Sequence, residues 1–412
     1  MDIAIIGAGL GGLAAAAALL QRGHRVRVYE QSPQLGELGA GIQMSANAMK
    51  VLDRLGLRPA LEAVAVRPQA FEFRRFDSGE MLHRLPLGAA HEARHGAPYF
   101  QLHRADLHRA LQDAVLALDA QALVFGARAT KVVEQAAHVQ VGFEDGSRQA
   151  VELLVGADGI KSVVRRFVLA DGLADGLADG GEDRPVYTGQ LAWRCIVPTE
   201  RIPPALRTQM VSTIWCGPRN HAVTYYLRAG TLLNFVSCVE RPWEEESWIA
   251  RSPWAELDAD YAGWHPMVRA VVDRVDRDPC FRWALNNREP SLHWSSPRIT
   301  MLGDAVHATL PYMAQGAAMA IEDAAVLARA LDEPGPLAGR LRRFEAHRAP
   351  RAARVVREST EMGALYHITD AQAMREAFAA RDIARSRNEW LYPYDPWLAD
   401  LNPSQKETSP CP

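Results

Sequence analysis

The chain begins with an apolar run, Ile3-Ala4-Ile5-Ile6, with no polar residue inside it. An uninterrupted, largely β-branched run predicts a strand covered on both faces, as in a parallel sheet. Gly7-Ala8-Gly9-Leu10-Gly11-Gly12 follows at once, then an alanine-rich stretch that predicts a helix to about Gln21, with Gly23 placed to end it. His24-Arg25-Val26-Arg27-Val28-Tyr29 alternates in polarity and predicts a second strand ending on Glu30. The strand-into-turn pattern recurs twice. Leu153-Leu154-Val155-Gly156 runs into Ala157-Asp158-Gly159, and Ile299-Thr300-Met301-Leu302 runs into Gly303-Asp304, ahead of a small-residue helix that starts near Gly316. In Asn220–Tyr226 the alternation puts residues 221, 223 and 225 on one strand face.

The first of these patterns carries chemistry. Glycines 7, 9 and 12 stand at the G-x-G-x-x-G positions. Gly7 permits the tight turn, Gly9 lets the backbone approach a pyrophosphate, and Gly12 lets helix and strand pack closely. The helix start offers free N–H groups and a positive dipole end to phosphates. Glu30, about 20 residues on, is placed to accept hydrogen bonds from ribose hydroxyls. Strand, glycines, helix, strand and acid in this order specify a dinucleotide site. FAD and NAD both satisfy it, and the absence of a second copy points to one tightly held dinucleotide.

Composition narrows the function classes. The chain has 412 residues, 48% of them hydrophobic, and a formal net charge of −3. That balance provides no basic footprint for nucleic acid. Five cysteines form no CxxC pair, which fits a reducing cytoplasm without a disulfide framework. The apolar run from Leu10 to Leu20 is too short to span a membrane, and no basic leader precedes the first strand. The chain is therefore expected to be cytoplasmic, without membrane or nucleic-acid partners. The Asp-Gly-Leu-Ala repeat from Asp171 reads as a surface loop and a boundary. Residues 337–361 read as helix interrupted by Pro350, and the tail from Asn402 as loosely packed.

The order GAGLGG…E, GADGIKSVVR and MLGDAVHATLPYMAQGAAMAIEDA, spread over residues 2 to about 367, resembles the single-component FAD-dependent aromatic hydroxylases. These include salicylate hydroxylase, 3-hydroxybenzoate 6-hydroxylase and 6-hydroxynicotinate 3-monooxygenase. The stretches LGAGIQMSANAMKVLDRLGL, GAPYFQLHRADLHRAL and HAVTYYLRAGTLLNFV agree with it. The resemblance implies a mixed α/β fold: a Rossmann-like FAD-binding domain, a substrate domain built on a mostly antiparallel sheet, and a helical C-terminal segment. The implied boundaries are 1–70, 98–170 and 290–335 for the first, 71–97 and 185–289 for the second, and 336–412 for the third. FAD is the implied cofactor, NADH or NADPH the co-substrate, and dioxygen and a small aromatic acid the other reactants, in a monomer or homodimer. Decarboxylative hydroxylation, or a dehydrogenase without oxygen transfer, are the alternatives.

Carried over by motif, Gly7, Gly9, Leu10, Gly12 and Glu30 hold the ADP half of FAD. Gly41, Ile42 and Arg104 lie along the cofactor, Asp158 supports the pyrophosphate and the nicotinamide encounter, and Asp304 binds a ribityl hydroxyl. Pro311, Gly316 and Ala317 face the isoalloxazine. A hydroxylase of this kind needs a base near a phenol-like oxygen. His221 and Tyr225, four apart on one strand face, fit that need, and the resemblance assigns them catalysis and substrate contact. Gln43, Ser212, Pro311 and Tyr312 complete the expected substrate wall. At the positions of Gln43, Ser212 and Tyr312, the 6-hydroxynicotinate enzymes look like His, Cys and His, and the Trp-rich stretch around Trp243, Trp248, Trp254 and Trp264 looks more like salicylate hydroxylases. His307 reads as a loop organiser. The remaining histidines show no metal-ligand spacing, and no metal is expected.

Overall fold

The computed structural model describes residues 1–412 except 35, 37–39, 173–183, 243–248, 279 and 402–412. The Asp-Gly-Leu-Ala repeat beyond Gly172, Trp243, Trp248, Cys411 and the tail from Asn402 lie outside the described residues.

The apolar run at the start of the chain is a central strand, Asp2–Ile6. It pairs in parallel with Leu153–Gly156 on one side and Arg25–Glu30 on the other. Ile299–Met301 and Leu123–Phe125 extend the sheet at either edge, again in parallel. All three strand-into-turn patterns therefore end on the same edge of one sheet, where α/β proteins collect their ligands. Helix Leu10–Leu20 is buried from Leu10 through Leu19. Its small residues allow close packing, since a Cβ on Gly11 would stand 2.9 Å from both Ala320 Cβ and Leu302 Cδ1.

A second sheet runs in the order Ile249–Arg251, Phe281–Asn287, Val186–Pro198, Leu232–Glu240, Asn220–Leu227, Ser212–Gly217, Ala70–Arg75, Met81–Pro86. Its pairings are antiparallel except the parallel one between Ser212–Gly217 and Ala70–Arg75. One face covers an apolar core that includes Trp193, Trp215, Tyr261 and Trp264. Trp254 packs against this core and donates its Nε1–H to Val272 O at 2.9 Å. The described tryptophans of the Trp-rich stretch are thus packing residues of the second core.

The C-terminal part departs from the sequence expectation at Pro350. Helix Leu337–Tyr366 runs unbroken through it for 30 residues. An internal proline costs a helix about 3 kcal/mol. This helix buries Leu341, Phe344, Val355, Val356 and Met362, each contributing about 1.5–3 kcal/mol, so packing outweighs the lost hydrogen bond. Among the described residues, no helix is long and apolar enough to cross a membrane.

Candidate functional site

The site grows from the first strand turn. Gly7 has φ +103°, and a Cβ there would stand 2.4 Å from Ala157 O. A Cβ on Gly12 would stand 2.0 Å from Gly7 O, so strand, turn and helix close up only around bare glycines. Gly9 is the opposite case. A Cβ on it would meet nothing within 4 Å, because Gly9 faces an open cleft together with Leu10. That opening, at the start of a helix, is the cradle a pyrophosphate needs. Glu30 orders the cradle from behind: its carboxylate accepts from the Ala8 and Ser32 amides, both at 2.9 Å.

From Gly9 the cleft continues between the two sheets. Gly41, Ile42 and Arg104 line it, together with Asp304, Pro311, Gly316 and Ala317. Gly316 starts a helix of 17 residues, so a positive dipole end borders the cleft. Ala314, also on the wall, holds a left-handed φ of +54°. Gln43, His221, Tyr225 and Tyr312 line the same cleft. A Cβ on Gly41 would stand 2.5 Å from the Tyr225 hydroxyl, so this glycine is what lets Tyr225 reach the wall. Gln43 is held by the Tyr99 hydroxyl, which donates at 2.7 Å, and by Ser212 Oγ, which accepts at 3.1 Å.

Six of the residues singled out in the sequence, Gly7, Gly12, Glu30, Asp158, Ser212 and His307, stand off the cleft surface. Gly7, Gly12 and Glu30 shape the cradle from beneath it. Asp158 stands off the cleft, in the turn ahead of helix Val163–Gly172, accepting from Ser162 Oγ at 2.5 Å and from the Val163 amide at 2.7 Å. Ser212 is fully buried behind Gln43. His307, buried, bonds Asp323 Oδ2 at 2.5 Å, the same oxygen that takes the Gly303 amide at 3.0 Å. Tyr312 donates to Gln190 and lies against Gly363 of the long helix, where a Cβ would stand 2.5 Å from its ring.

Burial dominates the electrostatics. It holds the His221 imidazole well below its ordinary pKa, with repulsion from His367 adding to it. Burial also raises the Tyr225 phenol above its ordinary value, against the pull of Arg194. Both groups are thus neutral near pH 7. His221 Nδ1 is bonded to His367 Nε2 at 2.8 Å.

Two cations on the wall escaped the sequence reading. Arg194 lies in strand Val186–Pro198 and lines the cleft. Its Nε is buried without a hydrogen-bond partner, and its guanidinium lies 5.6 Å from the Trp283 ring. Desolvation and nearby Arg104 work against its charge, while Tyr225 favours it. Among the described residues no carboxylate pairs with it. A charge inside the otherwise apolar stretch Leu191-Ala192-Trp193-Arg194-Cys195 was the available signal. Arg387 reaches the cleft from the C-terminal segment, where sequence offered no cue.

Comparison with known proteins identifies the family. The FAD binding domain family model matches residues 1–172 and 258–359. 3-Amino-4-hydroxybenzoate 2-monooxygenase PtmB3 of Streptomyces platensis is 36% identical over 95% of this chain and 96% of its own. 6-Hydroxynicotinate 3-monooxygenase of Bordetella bronchiseptica is 40% identical over 87% of this chain and 90% of its own. Among solved structures, Klebsiella pneumoniae HpxO complexed with FAD and uric acid superposes with a TM-score of 0.80 at 29% identity, covering 94% of each chain. The chain belongs to the FAD-dependent aromatic hydroxylases. It is an FAD-dependent monooxygenase.

Proposed function

We propose that this enzyme hydroxylates a small hydroxylated aromatic acid, a hydroxybenzoate or hydroxypyridine carboxylate, at the expense of NAD(P)H and dioxygen. When bound, FAD supplies the electron transfer from nicotinamide and the activation of dioxygen. Gly9, Leu10, Gly41, Ile42, Arg104, Asp304, Gly316 and Ala317 are the residues that would hold it, on the strength of the open cradle at Gly9 and their run along one cleft. Gly7, Gly12, Glu30 and Asp158 support the cradle and its turns.

The protein's own share is to bind, orient and deprotonate the ring. The observation that carries this reading is Arg194, a half-buried cation with a buried, unpartnered Nε and no carboxylate partner among the described residues, on the wall that also holds His221 and Tyr225. An acid substrate supplies the missing anion. His221 takes the ring hydroxyl proton, and the un-ionised Tyr225 phenol holds the ring by hydrogen bond or face contact. Pro311 and Tyr312 separate cofactor from substrate and keep water out. The names of the relatives, which act on 3-amino-4-hydroxybenzoate and 6-hydroxynicotinate, support the same substrate class.

The test is NAD(P)H oxidation by the FAD-loaded enzyme against a panel of hydroxybenzoates and hydroxypyridine carboxylates, each beside its carboxamide. Products are identified and peroxide is measured separately. An acid should be hydroxylated with kcat/KM at least about tenfold above its amide, the worth of one charge-assisted hydrogen bond. Equal turnover of acid and amide contradicts the reading.

A further inference from the structure

His221 is backed by two polar groups that the reading above leaves unused. Its Nδ1 stands 2.8 Å from His367 Nε2, and His367 Nδ1 stands 2.9 Å from Glu240 Oε1. Three elements supply the row: strand Asn220–Leu227 carries His221, His367 directly follows helix Leu337–Tyr366, and Glu240 ends strand Leu232–Glu240. Both histidines are buried, while the Glu240 side chain is 33% exposed. The row therefore runs from the cleft wall to solvent.

Hydrogen-bond capacity dictates how this row is protonated. A carboxylate only accepts, so His367 must present Nδ1–H to Glu240. A neutral His367 then has its lone pair on Nε2. That lone pair accepts from His221, whose proton is thereby held on Nδ1. The ring nitrogen left for the cleft is Nε2, and it carries a lone pair. Burial favours the neutral form of both imidazoles, against the pull of Glu240 on His367. Tyr312 and Tyr366 face His221 at ring distances of 5.2 and 5.3 Å. Cys216 and Cys238 flank it on adjacent strands, their thiols pushed up by burial. Arg219 shares Glu240 at 3.2 Å.

We propose that Glu240 and His367 are positioning residues that fix the tautomer of His221 and carry its proton away. The proposal rests on the reading of His221 as the base. The ring hydroxyl gives its proton to His221 Nε2 and keeps the bonding pair. His221 Nδ1–H passes its proton to His367 Nε2, His367 Nδ1–H passes its own to Glu240, and one proton leaves Glu240 for water. Return of a proton along the same path, when the product oxygen is reprotonated, resets the row.

The experiment uses the FAD-loaded enzyme with 15N-labelled histidine, His221 being assigned by the signal lost in His221→Gln. The ring-nitrogen shifts should report a proton on Nδ1. Glu240→Ala and His367→Phe should move it to Nε2 or to a mixture. Glu240→Gln, whose amide oxygen still accepts, should keep the tautomer. With 3-amino-4-hydroxybenzoate or 6-hydroxynicotinate as probe, Glu240→Gln should lose about tenfold in kcat, less than loss of a base itself, with KM and FAD content unchanged. A wild-type His221 protonated on Nε2, or one that stays on Nδ1 in His367→Phe, overturns the proposal. Unchanged kcat in His221→Gln overturns the base assignment instead, while the tautomer still judges the positioning.

Discussion

Arg348 sets its guanidinium 2.7 Å from Glu322 and 2.8 Å from Asp323, and none of the three side chains is reached by solvent. These two consecutive carboxylates tie the small-residue helix to everything around it. Asp323 also holds His307 and the Gly303 amide, so the turn that presents Asp304 to the cleft hangs on this cluster. Glu322 accepts from Asn47 at 2.6 Å and from Arg351 at 2.9 and 2.8 Å.

Removing Arg348 leaves two carboxylates buried with less than their full complement of partners. Breaking a buried ion pair from one side costs about 3–5 kcal/mol. Arg348→Leu is accordingly expected to lower the unfolding free energy of the holoenzyme by about that amount, measured by equilibrium denaturation, and to weaken FAD retention. A loss under about 1 kcal/mol would show that Arg351 and Asn47 suffice.

Much of the nucleotide unit was legible because its signals are local. The Asp2–Ile6 strand, the three glycines and Glu30 follow one another in sequence, and each obeys a short-range rule. Strand alternation put His221 and Tyr225 on one face, but it was the family resemblance that singled them out as site residues, since a histidine in a strand is by itself more often structural. Arg194, His367 and Glu240 were not legible. Their place is set by sheet register and by where a helix of 30 residues ends, and neither is written in any local pattern. Ser212 shows the converse. It belongs to a wall strand, but Gln43 lies between it and the cleft. The C-terminal segment is pinned by Lys50 Nζ, which donates to Tyr392 O, Pro393 O and Tyr394 O; nothing around Lys50 announces those partners.

The glycine cradle separates folding from binding. Gly12→Ala drives a methyl group to 2.0 Å from Gly7 O, so it should destabilise the protein with or without FAD. Gly9→Ala meets nothing within 4 Å. Its apoprotein should melt like wild type, while FAD affinity falls at least about tenfold, because the added methyl occupies the approach to the phosphates. Melting curves of the two apoproteins and a flavin titration check both halves. Unchanged FAD affinity in Gly9→Ala contradicts the cradle.

Buried histidines should give the enzyme an acid limb. Burial lowers His91 to about 3 and His347 to about 4. In the unfolded chain each takes a proton near pH 6.5. Between those values the unfolded state binds more protons, so stability is complete above about pH 6.5 and is lost as pH falls. The slope approaches about 1.4 kcal/mol per pH unit for each group. His91 Nε2 has no hydrogen-bond partner, and its ring packs against His95 at 4.6 Å and Tyr392 at 5.0 Å. His91→Phe should therefore keep the packing and flatten the decline between pH 6 and 4 (roughly the range where only the unfolded histidine protonates). Denaturation midpoints over that range decide it; an unaltered decline would mean His91 does not contribute.

Arg194 offers the sharpest test of substrate class. Its guanidinium lines the cleft and has no carboxylate partner among the described residues. A hydrogen bond to a charged group contributes about 1.5–3 kcal/mol, and each 1.4 kcal/mol is about tenfold in affinity. Arg194→Met should thus raise KM for an aromatic acid by about ten- to a hundredfold, with FAD content unchanged. Arg194→Lys restores the charge but not the planar fork, and should recover only part of the loss. The corresponding carboxamide, whose neutral carbonyl accepts from the guanidinium more weakly than a carboxylate does, should lose less than the acid in Arg194→Met. Steady-state kinetics on acid and amide, beside the flavin spectrum, distinguish this from damage to the cofactor site. Loss of FAD with an unchanged KM would place Arg194 against the cofactor rather than the substrate.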